Sequence, residues 1–150
     1  MRILIVESRF YEHITDNLVK GAVRELQAAG AGFKRVIVPG ILEIPSAIRY
    51  AVRAMEMRAT DERYSGYITL GCAIKGETDH YDHVCREAFA GVQTLSLQYT
   101  LAVGNGILTV HNEEQALERA MPEKRNFGGQ AARAVLRMIE IKKDLGLLPK

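Results

Sequence analysis

Apolar positions along the chain fall into short unbroken runs that alternate with longer stretches of helical period. Residues 3–6, Ile-Leu-Ile-Val, form the first run and predict a strand. Residues 14–29 follow with Leu18, Val19, Ala22, Val23 and Leu26 on one face and Gly30 just beyond, the pattern of an amphipathic helix and its stop signal. The alternation continues with a strand at 35–38, a helix at 45–58, a strand at 67–70 running on towards 74, a helix at 80–99 and a strand at 101–110. Gly104 and Gly106 are expected to loosen that fourth strand. Asn112, with Gln115 three residues later, resembles a capping box opening a short helix through Ala120, and a final helix covers 129–145. The order βαβαβαβαα predicts a parallel sheet covered by helices on both faces.

The helix at 80–99 carries more apolar surface than one contact needs. Val84, Ala88, Val92, Leu95 and Tyr99 line one side, while Cys85, Phe89 and Leu97 extend it. Two partners fit that pattern equally: the C-terminal helices of the same chain, or a second copy of the chain.

Composition narrows the picture. A chain of 150 residues, 47% hydrophobic and 25% charged, supports one globular domain spanning 1–150. The net charge of +2 is small and no long Lys/Arg run concentrates it, which argues against a nucleic-acid partner. The first apolar run ends at Glu7, far too short for a signal peptide or a membrane span. Cys72 and Cys85 form neither a disulfide framework nor a CxxC pair, so a reducing cytoplasm is the expected location.

In an open parallel sheet, ligands bind outside the carboxyl ends of the strands, and the unusual residues fall there. Strand one leads to Ser8-Arg9-Phe10-Tyr11, strand two to Pro39-Gly40-Ile41-Leu42-Glu43-Ile44-Pro45, and strand three to Gly71-Cys72-Ala73-Ile74-Lys75-Gly76-Glu77-Thr78-Asp79-His80. Strand four contributes Asn105 and leads to His111 and Asn112. The third loop matters most. It is glycine-punctuated, offers Thr78 or Asp79 as a cap, and opens a helix whose free N–H groups and dipole favour an anion. His80 stands at that helix start, where an imidazole can move protons near neutral pH. Chemistry on a phosphorylated small molecule is the expectation.

Other residues there admit two roles each. Phe10 either stacks on a planar ligand ring or packs as a staple against the first helix. Glu43 either accepts hydrogen bonds from sugar hydroxyls or lies near a helix start, stabilised by its dipole. His80, Asp82, His83 and Cys85 resemble metal ligands only superficially, because tetrahedral sites gather separated ligand pairs and no second cluster exists in the sequence. Cys72 is better explained as a small apolar filler than as a nucleophile. Gly104-Asn105-Gly106 lacks the rest of a dinucleotide fingerprint.

Four segments in this order resemble the lumazine synthase family: Arg9-Phe10; Val38-Pro39-Gly40-Ile41-Leu42-Glu43-Ile44-Pro45; Leu70-Gly71 with Gly76-Glu77-Thr78-Asp79-His80-Tyr81-Asp82; and Asn112-Glu113-Glu114-Gln115-Ala116-Leu117-Glu118-Arg119-Ala120. The resemblance implies a flavodoxin-like three-layer α/β/α sandwich on a four-stranded parallel sheet. It implies condensation of 5-amino-6-(ribitylamino)uracil with 3,4-dihydroxy-2-butanone 4-phosphate, without cofactor or metal, in the penultimate step of riboflavin biosynthesis. Members of the family assemble as pentamers or as sixty-subunit shells, with active sites between neighbouring subunits. The short segment ahead of the first strand favours a free pentamer here.

By the same resemblance, Phe10 would stack on the pyrimidine ring, and Ile41, Leu42 and Glu43 would hold the ribityl chain. Cys72, Ala73 and Ile74 would contact the heterocycle mainly by backbone. Gly76, Glu77 and Thr78 would bind phosphate with help from Arg119 of an adjacent subunit, and His80 would shuttle protons. Asn105, a further substrate contact, occupies a place often held by an aromatic that closes the pocket. Tyr11 and Phe127 also depart from the family's common asparagine and lysine. A binder of flavin or lumazine with the same fold and little or no turnover is the competing expectation.

Overall fold

The computed structural model describes residues 1–148. Four strands, β1 (Arg2–Ser8), β2 (Gly32–Val38), β3 (Gly66–Ile74) and β4 (Val103–Val110), form one all-parallel sheet in the order β2-β1-β3-β4. Five helices connect and cover it: α1 (Glu12–Ala28), α2 (Ile44–Glu56), α3 (His80–Gln98), α4 (Glu113–Ala120) and α5 (Phe127–Asp144). A single 3-10 turn, Ile41–Glu43, precedes α2.

Strand alternation builds two cores. Ile3 and Ile5 of β1 face α1, α4 and α5, where they meet Leu18, Ala22, Ala116, Val135 and Ile139. Leu4 and Val6 face the other way, onto Ile44, Ile48 and Val52 of α2 and Ala88 and Val92 of α3. The result is the parallel sheet covered on both faces that the alternation of periods predicts, and the three-layer flavodoxin-like sandwich that the resemblance implies. Each large aliphatic side chain sealed in these layers contributes about 1.5–3 kcal/mol. No described helix is long and apolar enough to cross a membrane.

The structure corrects several boundaries, each for a local reason. β1 continues past Val6 through Glu7 and Ser8, because the Glu7 carboxylate is matched by two arginines inside the protein. β2 begins at Gly32, earlier than residue 35, as a half-covered edge strand without a continuous apolar signal. α2 ends at Glu56, since Arg58 takes a left-handed conformation (φ 54). α5 starts at Phe127, where the side chain of left-handed Asn126 accepts the Gly129 N–H at 3.1 Å. β4 begins at Val103, because left-handed Thr100 and a bond from the Leu101 N–H to the Ser96 carbonyl still belong to the end of α3.

Two corrections concern packing. Gly104 and Gly106 do not loosen β4, which pairs with β3 residue by residue from Tyr67↔Val103 to Ile74↔Val110. They make room for α5: a Cβ on Gly104 would lie 1.9 Å from the Ala131 carbonyl oxygen. The C-terminal helices, offered above as cover for α3, lie on the opposite face of the sheet with α1. α3 therefore buries Ala88 and Val92 against the sheet and α2, and leaves Leu97 74% exposed. The capping box at α4 is present in extended form. Asn112 Oδ1 accepts the Gln115 N–H at 2.9 Å, and Gln115 Oε1 accepts the His111 N–H at 2.8 Å.

Candidate active site

The carboxyl ends of β1 and β3, the loop after β2 and the start of α3 enclose a cavity of about 470 Å³. Ser8, Phe10 and Tyr11 come from the β1 end, and Ile41, Leu42 and Glu43 from the 3-10 turn after β2. Cys72, Ala73 and Ile74 form the β3 wall, followed by Gly76, Thr78 and His80. Ten of the residues singled out in the sequence thus share one wall: Phe10, the three of the turn, the three of β3, and Gly76, Thr78 and His80.

Phe10 remains 73% exposed and touches Tyr11 edge-on, with ring centroids 5.0 Å apart, rather than packing as a staple on α1. It is a free aromatic face at the cavity rim. Its loop is anchored from below. Arg9 Nη1 donates to Glu7 Oε1 at 2.8 Å, and Arg9 also pairs with Asp16. Arg35 reaches the same wholly buried Glu7 from β2 through Nε and Nη2, each at 2.8 Å. Those bonds to Glu7 hold the Arg35 guanidinium above its ordinary pKa. Sequence reading passed over Glu7; the available signal was a carboxylate in an apolar strand with arginines nearby, at positions 9 and 35.

At the second loop, Glu43 stands at the start of α2, the second of the two places expected for it. Its Oε2 accepts the Gly40 N–H at 3.1 Å, which closes the turn, while the residue stays exposed at the cavity. At the third loop, the Lys75 N–H is tied to the Val110 carbonyl at 2.9 Å. Beyond it, the N–H groups of Gly76, Glu77 and Thr78 have no partner among the described residues. Unpaired amides leading into a helix N-terminus are what an oxyanion requires. Thr78 Oγ1 accepts the His80 N–H at 3.3 Å, while Asp79, the N-cap residue, makes no side-chain capping bond. The His80 side chain is exposed on the same wall as Thr78.

Burial pushes the Cys72 thiol up to about 12, which keeps it protonated and poorly nucleophilic at neutral pH. Among the described residues, no three His, Cys, Asp or Glu side chains gather as a metal-ligand group.

Three of the expected site residues are not on the cavity wall of their own chain. Glu77, within the third loop, is exposed and off the wall. Asn105 lies part-way along β4, its Oδ1 accepting from Thr69 Oγ1 at 2.8 Å and from the Ile107 N–H at 3.1 Å. Arg119 lies on α4 and donates to the Gln115 carbonyl at 3.2 Å. His111 and Asn112 are likewise off the wall, engaged at the start of α4.

A doubly covered parallel sheet, with an aromatic face, an open amide loop and a histidine around one cavity at its carboxyl edge, defines a flavodoxin-like protein with a small-molecule site. The family model described as 6,7-dimethyl-8-ribityllumazine synthase matches residues 1–143. A 6,7-dimethyl-8-ribityllumazine synthase of Paramagnetospirillum magneticum is 52% identical over 146 residues, covering 97% of each chain. One of Bartonella tribocorum is 49% identical over 144 residues, covering 96% of this chain and 91% of its own. Another, of Bartonella henselae, is 46% identical over 150 residues, covering 100% and 94%. The chain belongs to the 6,7-dimethyl-8-ribityllumazine synthase family.

Proposed function

We propose that this chain is a transferase of riboflavin biosynthesis, one domain that condenses 5-amino-6-(ribitylamino)uracil with 3,4-dihydroxy-2-butanone 4-phosphate to give 6,7-dimethyl-8-ribityllumazine. Membership of the family supports the reading, and one observation carries it to the residues: Phe10, Glu43, Thr78 and His80 line the same cavity. Phe10 receives the pyrimidine ring, and Ile41, Leu42 and Glu43 hold the ribityl chain. The backbone around Cys72, Ala73 and Ile74 contacts the heterocycle edge. Gly76, Glu77 and Thr78 take the phosphate.

The chemistry follows. The 5-amino group of the uracil attacks the ketone, and the carbinolamine loses water to give an imine. Elimination then releases inorganic phosphate, and attack by the ribitylamino nitrogen with loss of a second water closes the ring. Each stage moves a proton, and His80 is the group placed to take and return it beside the phosphate cradle. No electrons are transferred to an outside acceptor, so the sequence of steps needs no redox cofactor. Most of the acceleration comes from holding two reactants in one cavity.

The protein acts in the cytoplasm as a homo-oligomer, a pentamer, whose neighbouring chain brings Arg119 to the phosphate and Asn105 to the substrate. The surface of α3 left open around Leu97 supports a partner of this kind. Mixing the purified protein with both substrates and following lumazine fluorescence tests the activity. Product formation is expected. Binding of the uracil without any fluorescent product would make the chain a binder instead.

A further inference from the structure

Ser8 ends β1 at the cavity, with its backbone fixed on two sides. It pairs with Val38 of β2, and its carbonyl accepts the Thr15 hydroxyl at 2.7 Å. Its side chain faces Gly71, where an added Cβ would lie 3.1 Å from Ser8 Cβ and 2.8 Å from Ile41 Cγ2. The absence of a side chain at Gly71 lets Ser8 and Ile41 pack directly against the β3 backbone at the cavity floor. The residue is 1% exposed and belongs to the cavity wall, yet its Oγ has no hydrogen-bond partner among the described residues.

Buried hydroxyls are ordinarily bonded, because an unmatched one loses its water without compensation. Among the described residues only one other buried side-chain atom is left in this state, the Tyr67 hydroxyl, which lies in the α2–α3 core and off the cavity wall. Two other polar groups of the wall also make bonds within their own loops: Thr78 Oγ1 accepts the His80 N–H, and Glu43 Oε2 accepts the Gly40 N–H. Ser8 Oγ can both donate and accept, and Phe10 lies two residues away on the same wall.

We propose that Ser8 is a specificity-determining contact, whose hydroxyl hydrogen-bonds an edge N–H or carbonyl of the planar pyrimidine-class ring seated against Phe10. This inference rests on the function proposed above and adds a recognition group to it. No described protein group matches the hydroxyl, and the ligand edge satisfies it. Rings with the same outline but an apolar edge are disfavoured, because they leave Ser8 unmatched.

The test is Ser8→Ala, compared with the wild type in three measurements: calorimetric affinity for 5-amino-6-(ribitylamino)uracil alone, affinity for inorganic phosphate, and unliganded Tm. Affinity for the uracil should fall roughly five- to tenfold. Phosphate affinity should hold, and the unliganded Tm should stay level or rise, because the lost hydroxyl had no partner. Ser8→Gly should show the same loss of uracil affinity. Equal uracil affinity in wild type and Ser8→Ala would overturn the role of Ser8 alone, as would a lowered unliganded Tm, the mark of a structural hydroxyl. A wild type that binds no uracil would overturn this inference together with the proposed function.

Discussion

At the scale of single residues, the proposed proton carrier and the thiol of the same cavity stand in opposite environments. His80 is exposed on the cavity wall, while Cys72 is buried with its thiol pushed up to about 12. His80→Ala should slow condensation roughly 100-fold and leave a measurable residue, because proximity and the phosphate cradle survive. Single-turnover fluorescence reads this, and an unchanged rate would remove His80 from the mechanism. A second consequence appears at high pH. Burial raises the Tyr67 phenol from 10.0 to about 12, as it raises the Cys72 thiol from 9.0. The unfolded chain releases both protons first, so their contribution to stability is complete below the unfolded values and lost as pH climbs towards the folded ones. Thermal melts should show Tm falling through the pH 9–12 interval set by those values. Tyr67→Phe should shallow that fall and, by removing an unpartnered buried hydroxyl, leave neutral-pH stability equal or up to about 1 kcal/mol higher. A clear loss at neutral pH would mean that the hydroxyl has a partner.

Among the elements, what could be read from sequence was whatever expresses itself in local period. β3 and α1 were legible because burial of a whole strand, or of one helix face, writes itself into consecutive residues. β2 was only half legible, since an edge strand buries little, and the end of β1 was hidden because Glu7 reads as a break until Arg9 and Arg35 are seen to match it. Ten cavity residues could be named from loop position and motif, whereas the unpartnered hydroxyl of Ser8 is a property of its surroundings in space, which no local pattern reveals. The glycines of β4 show the same limit. Read along the strand they weaken it; seen in three dimensions they admit α5. Gly104→Ala sets a methyl group against a backbone carbonyl that cannot rotate away, and should cost about 3 kcal/mol or more in urea unfolding. A loss no larger than that of an ordinary exposed strand substitution would mean that α5 can shift outward without penalty.

For the whole molecule, the placement of Arg119 is the sharpest question, because it lies off the cavity wall of its own chain. Coexpressing His80→Ala and Arg119→Ala chains tests whether neighbours share a site. Random mixing around a ring would restore both groups at about one site in four, so activity should exceed that of either variant alone. No gain in verified mixed assemblies would confine catalysis to single chains. One more property follows from the salt-linked base beneath the Phe10 loop, where Arg9 joins Glu7 and Asp16 and Arg35 locks Glu7 from the next strand. A ring braced in this way surrenders little motional freedom when a flat guest settles on it, because its ordering was completed when the chain folded. Capture should therefore resemble docking onto a fixed shelf, with a smaller entropic penalty than closure of a floppy arm would impose.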